Sequence, residues 1–197
     1  MSNTTFCLSV YNNLEYMKLC IESVRQNSHD KLAPFVVYAE NCADGTNEWL
    51  RHNKDKYTST QYKYNLDVYI ETGNNPKRGI GGGMNFCANK ANTEFINFLQ
   101  ADLYCGPNWD KALMDCYLEN EKGDSSKRWV TFSYRVQPDI FNELGTDRVG
   151  TVFVEQDTFG AYHDDFKPQL FNRWANAFSQ ENMHQYRKAE GVSGLMR

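Results

Sequence analysis

Four short apolar runs are spaced along the first half of the chain: TFCLSVY (5–11), APFVVYA (33–39), LDVYIE (66–71) and FINFLQ (95–100). Between them lie segments with helical character. Leu14, Met17, Ile21 and Val24 recur at helical spacing over residues 14–26, after Asn12-Asn13 break the first run. Thr46 is placed to cap a helix carrying Trp49 and Leu50. Residues 79–92 open on glycines and then carry Met84, Cys87, Ala88 and Ala91. A further helix over 112–121 starts from Asn108-Trp109-Asp110, and WVTFSY (129–134) reads as a fifth strand. Strands alternating with helices predict a mostly parallel sheet with right-handed crossovers and helices on both faces. Such sheets bind ligands outside the carboxyl ends of their strands. The segments that matter are therefore 11–13, 40–45, 71–79, 100–106 and 135–140.

Bulk properties narrow the classes. With 197 residues, 41% of them hydrophobic, the chain is long enough for one domain with a sizeable core. Net charge is −4 with both signs interspersed, so there is no basic face for nucleic acid. No apolar stretch approaches the roughly 20 residues of a membrane span. The segment MSNTTFCLSV lacks the features of a secretory signal, which predicts a cytoplasmic protein. Six cysteines are scattered without a CxxC pair, which favours reduced buried thiols over zinc or disulfides. After residue 135 the alternation lapses: irregular segments at 136–150 and 155–168 flank a short strand at 151–154, and an aromatic-rich helix follows at 171–178.

The strand ends carry the candidate chemistry. Tyr11 can stack on a base or pack. Glu40 can accept a hydrogen bond from a ligand or cap a helix. Lys77 and Arg78 stand immediately before Gly79, where helix N–H groups and two cations would suit a diphosphate; a solvated basic turn is the alternative. GIGGG follows the third strand, not the first, and has no acid about 20 residues on, so it is not a dinucleotide fingerprint. Gln100-Ala101-Asp102 ends the fourth strand. One carboxylate suffices for Mg²⁺ or Mn²⁺ if a bound diphosphate completes the shell.

Taken together these loops resemble the GT-A-fold glycosyltransferases of family 2. SVYNNLEYMKLCIESV is similar to that family's PVYN strand and helix. VVYAENCADGT resembles VVDDGSTDGT, with Glu40 at the second Asp position and Asp44-Gly45-Thr46 retained. In RGIGGGMNFCANKANTEFINFLQAD, Asn85 and Glu94 match, and Asp102 falls on the last Asp of the DxD motif, with Gln100 replacing its first acid. The similarity covers about residues 5–120. Arg135, Pro138 and AYHDDF resemble, less closely, features of viral and bacterial capsule-type members.

The resemblance implies a Rossmann-like three-layer α/β/α sandwich, one domain over 1–197. Residues 1–106 would form its nucleotide-sugar-binding half and 107–197 its acceptor-side half. It implies a metal-dependent, inverting transfer of a hexosyl or deoxyhexosyl group from a nucleotide-diphosphate sugar, UDP favoured, to a hydroxyl on a glycan or glycoconjugate. Ser9, Tyr11, Glu40, Lys77, Arg78, Asn85, Gln100, Ala101, Asp102 and Arg135 would bind the donor. Asp102, with His163, would hold Mn²⁺ or Mg²⁺. Inversion needs a general base, for which Asp164 and Asp165 are first candidates and Glu155 and Asp157 the fallback; an acidic turn or helix cap is the other reading of HDD. His184 is a weaker metal candidate than His163. Tyr134, Phe159, Tyr162, Phe171 and Trp174 could wall the sugar, with core packing the plainer role for most of them. The chain is short for a free-standing member, which fits one domain of a larger protein. A non-catalytic nucleotide-sugar-binding module, suggested by Gln100, is the alternative. A nucleotidylyltransferase would place a glycine-rich, basic loop after the first strand, where this chain has YNNLEY.

Overall fold

The computed structural model describes residues 3–54, 66–73, 78–123, 131, 135–138 and 151–182. The chain divides into two compact units, Met1–Asp110 and Lys111–Arg197.

In the first unit the elements are β1 (Thr4–Val10), α1 (Leu14–Asn27), β2 (Phe35–Glu40), α2 (Thr46–Asn53), β3 (Leu66–Glu71), α3 (Gly79–Lys90) and β4 (Phe95–Gln100), with the start of α4 (Trp109–Gly123). All four strands are parallel, in the order β3-β2-β1-β4. The chain steps outward from β1 to β3, then crosses back to the far side of β1. Right-handed crossovers therefore put α1 and α2 on one face and α3 on the other. The burial pattern agrees. Phe6, Leu8 and Val10 of β1, with Phe35, Val37 and Ala39 of β2, pack against Met17, Cys20, Ile21 and Val24 of α1 and Leu50 of α2. The alternate residues Cys7, Val36 and Tyr38 meet Cys87 and Phe86 of α3. This is the parallel sheet that the alternation predicted, in the α/β/α sandwich that the resemblance implied.

The α3 face is the thinner one, and glycine makes it so. A Cβ on Gly83 would lie 2.0 Å from Ser9 Oγ and 2.9 Å from Ser9 Cβ, so the helix rests almost directly on β1. The turns at the strand ends use asparagine instead. Asn12, Asn13, Asn41 and Asn108 all adopt left-handed backbone, a conformation their short polar side chains tolerate.

One local expectation changes, and one cap comes from an unexpected place. Gly45, at φ +91°, is the N-cap of α2, and Thr46 is its first residue. The cap of α1 comes from a distance, because Asp44 Oδ2 accepts the Leu14 N–H at 2.9 Å while Asn13 makes no side-chain cap. The α4 start is anchored as its Trp109 suggested. The indole packs at a tilt, 5.0 Å from the Phe6 ring, and donates to Ser28 Oγ at 3.0 Å, and buried Asp110 accepts the N–H groups of His29 and Asp30 at 2.7 and 2.8 Å.

In the second unit, β5 (Arg135–Pro138) and β6 (Thr151–Val154) pair in parallel. The expected strand at 129–134 falls almost wholly outside the described residues. A short helix, α5 (Gln156–Phe159), lies where irregular chain was expected, and α6 runs over Pro168–Asn182, longer than the predicted 171–178. Phe159, Phe171, Trp174 and Phe178 form one aromatic cluster, with Trp174 stacked 4.9 Å from Phe178. Phe159 is buried, which is packing and not a sugar wall. Tyr162 of the same candidate set is exposed.

Candidate functional site

The strand order sets a topological switch point between β1 and β4, whose carboxyl ends lie side by side with Ser9 opposite Gln100. Crevices of this kind hold ligands in doubly wound sheets. The loops around it are braced. The Asn12 N–H meets Cys42 Sγ at 3.2 Å, Asn12 Oδ1 accepts the Ala43 N–H at 2.8 Å, and the Asn41 N–H bonds Glu71 O at 2.9 Å. A loop tied to its neighbour by main-chain bonds holds its side chains in place before any ligand arrives. Tyr11 leaves this braced turn half exposed.

The acid that ends β2 points inward. Glu40 is 5% exposed, and its two oxygens accept the N–H groups of Arg78 and Gly79 at the start of α3, the latter at 3.1 Å. It satisfies two of the orphan amides of that helix and sits at the positive end of its dipole. Glu40 is thus a cap, but of α3 and not of the helix that follows it in sequence. The amides that the sequence offered to a diphosphate are engaged by this carboxylate.

Arg78 is fixed on a second side. Its Nε donates to Glu71 Oε2 at 3.2 Å, and its guanidinium carbon lies 6.0 Å from the Tyr38 ring centre and 5.5 Å from that of Phe86. Tyr38 also donates its hydroxyl to Glu71. Burial and this bond to an anion push the Tyr38 phenol up to about 12, and the Glu71 partner raises Arg78 above its ordinary value.

The QAD stretch behaves differently. The Gln100 carbonyl accepts the Leu103 N–H at 3.2 Å and the Cys20 thiol at 3.4 Å, so the backbone turns sharply after the strand. Ala101 is buried, Gln100 and Asp102 are exposed, and among the described residues no hydrogen bond engages the Asp102 carboxylate. Of the acids ending β2, β3 and β4, this is the open one. The family described as Glycosyl transferase family 2 matches residues 5–172.

The chain belongs to glycosyl transferase family 2. Its all-parallel sheet, flanked by helices, is the GT-A arrangement. Solved structures similar to it include S. aureus TarS 1-349, at 18% identity and a TM-score of 0.48 over 67% of this chain and 39% of that one. The TarS 1-349 complex with UDP-GlcNAc gives 18% and 0.49, over 80% and 38%. The complex with UDP gives 16% and 0.48, over 80% and 39%. The chain thus spans about two fifths of the length of those TarS chains. No curated protein matches it.

Within this family frame the other expected residues fall as follows. Ser9 is half-buried beneath Gly83, on the α3 face of β1. Asn85 is exposed on α3. Arg135 opens β5; its side chain, like Lys77, Tyr134 and His184, lies outside the described residues. In the second unit Tyr162, His163, Asp164 and Asp165 form an exposed turn. Asp165 accepts the N–H groups of Tyr162 at 2.7 Å and Ala161 at 3.2 Å. The Tyr162 bond foremost holds its carboxyl below the usual range, so it is a weak proton acceptor and a turn-former. Glu155 and Asp157 are exposed at α5, and Lys167 donates to the Asp157 carbonyl at 2.6 Å.

Among the described residues no three His, Cys, Asp or Glu side chains converge as a metal-binding group. The four buried cysteines are pushed up by burial, Cys7 and Cys105 to about 12 and Cys87 to about 11, with Cys20 also raised. They are inert packing thiols. Among the described residues no helix is long and apolar enough to cross a membrane. Sequence reasoning passed over Glu71 and Tyr38. A polar or aromatic residue on the α3-facing phase of β2 and β3, near the carboxyl ends, was the available signal.

Proposed function

We propose that the chain is the donor-binding glycosyltransferase domain of a nucleotide-sugar enzyme, moving a sugar from a UDP-sugar to an acceptor hydroxyl on a glycan or glycoconjugate with inversion. The observation that carries this is the open Asp102 carboxylate at the β1/β4 switch point of a family 2 sheet. Tyr11, on the adjoining strand end, is offered to the base. Arg78, held but half exposed, takes the diphosphate. Gln100 and Asn85 offer neutral amides to the ribose or sugar.

Asp102 fits a Mg²⁺ or Mn²⁺ ion, since a hard cation of this kind takes one or two carboxylates and fills its shell with phosphate oxygens and water. Such an ion would supply charge stabilisation of the leaving diphosphate. Arg78 shares that task by meeting the anion as the glycosidic bond breaks. The acceptor hydroxyl must lose its proton as it attacks. In the second unit Asp164 is the better base, because the neighbouring Asp165 carboxylate is engaged by two backbone amides.

Thermal-shift measurements with UDP, dTDP and GDP, with and without Mn²⁺, test the reading. UDP is expected to stabilise most, and more with Mn²⁺. No stabilisation by any nucleotide would sink it. Binding of nucleotide and metal without transfer or hydrolysis of any sugar nucleotide would instead identify a non-catalytic module.

A further inference from the structure

Two strand-end acids converge on one arginine. Glu40, closing β2, holds the Arg78 backbone N–H, and Glu71, its register partner on β3, holds Arg78 Nε at 3.2 Å. Tyr38, on the same face of β2 as Glu40, donates its hydroxyl to the same Glu71 oxygen that takes Nε. The guanidinium plane is further confined by the rings of Tyr38 and Phe86. Side-chain exposure is 47% for Arg78 and 16% for Glu71. The arginine therefore faces outward while the acid stays behind it.

We propose that Glu71 is a positioning residue: it orients the Arg78 guanidinium for the donor's diphosphate without touching the donor. This rests on the reading of Arg78 as a diphosphate ligand. A guanidinium has about five N–H donors in a fixed fork. Nε is spent on Glu71, yet donors enough for a bidentate phosphate grip remain. Without the acid, a long side chain at the start of a glycine-rich helix would sample many rotamers, and the ligand would have to freeze them on binding. The Tyr38 hydroxyl holds Glu71 in turn, so the order runs from the sheet core to the rim.

The test is titration calorimetry of the full chain in Mn²⁺ with UDP, and competition with uridine, which has the base and ribose but no phosphate. Melting curves check that each variant folds. Glu71→Ala is expected to weaken UDP about five- to tenfold while uridine is unchanged. Glu71→Gln, which keeps an acceptor for Nε, should recover most of that loss, and Tyr38→Phe should weaken UDP about two- to threefold. Unchanged or tighter UDP binding by Glu71→Ala would overturn the proposal, since the acid would then be competing with the phosphate. Equal losses for UDP and uridine would also overturn it, as a general loosening of the fold. If Arg78→Ala leaves UDP affinity intact, the positioning role falls while the glycosyltransferase reading stands. If the unmodified chain binds no UDP, both fall.

Discussion

Replacing Gly83 with alanine tests the packing that builds the donor side of the sheet. The added Cβ would sit 2.0 Å from Ser9 Oγ, 2.9 Å from Ser9 Cβ and 3.0 Å from Tyr38 Cδ1. Rotating the Ser9 hydroxyl relieves the first contact alone. The other two involve a strand-borne Cβ and a ring that is almost fully buried, so α3 must lift by a few tenths of an ångström or more. Overpacking of this kind costs about 1–3 kcal/mol, and loss of contact along the Cys87–Phe86 face puts this case at the upper end. Alanine returns about 1 kcal/mol of helix propensity. The net expectation is a loss of about 2 kcal/mol, or roughly 4–8 °C in melting temperature for a chain of this size. Gly81→Ala is the control. Its Cβ would meet nothing within 4 Å, so only propensity acts, and the melting temperature should rise. Adding Ser9→Ala to Gly83→Ala should restore part of the loss but not all, because the 2.9 Å contact persists. Circular-dichroism melts of the four proteins decide it. A Gly83→Ala chain as stable as the parent, or a Ser9→Ala change that recovers nothing, would refute the close-approach argument.

Asp102→Asn should erase the Mn²⁺-dependent part of the UDP thermal shift and leave the metal-independent part; Gln100→Asp should enlarge the Mn²⁺-dependent part. Gly160 holds φ +87°, and a Cβ there would lie 2.4 Å from the Asp165 carbonyl oxygen, so Gly160→Ala should cost about 1–3 kcal/mol in chemical unfolding followed by circular dichroism. Burial works against Asp44, but the Leu14 and Thr46 amides that its carboxylate accepts outweigh it and hold the carboxyl low. A group depressed on folding contributes stability above its unfolded value, near pH 4, that is lost as pH falls through its lower folded value. Asp44→Ala should therefore cost about 1 kcal/mol at pH 7, and the difference from the parent should shrink below pH 4; a gap independent of pH would contradict the charge-based cap.

The architecture was legible because two periodicities alternate. Apolar runs of six or seven residues can only be short strands or buried helix turns, and the interleaved Leu14-Met17-Ile21-Val24 spacing decides between them. Asn12-Asn13 read correctly as a break, since asparagine takes the left-handed turn cheaply. The caps were not legible. Glu40 reaches α3, 38 residues on, and Asp44 reaches back 30 residues to α1, and no local spacing encodes a partner that only the sheet brings near. For Asp165 the sequence left a base and an acidic turn open, and the choice depends on partners that letters do not show: it accepts two amides three and four residues away.

Those same caps explain why one strand-end acid is left for chemistry. Glu40, Glu71 and Asp102 close or follow β2, β3 and β4, and as letters they are equivalent. What separates them is the cationic start of α3. Its amides take Glu40, and its first guanidinium takes Glu71, so both negative charges are answered from within the fold. The chain after β4 bends instead into the tight Gln100–Leu103 turn, and among the described residues no hydrogen bond engages the Asp102 carboxylate. An exposed carboxylate that no described residue engages gains more than its neighbours from an external cation. On the proposed reading, a divalent ion accompanied by a diphosphate would meet it at little desolvation cost, because neither partner would have to leave the solvent-facing rim.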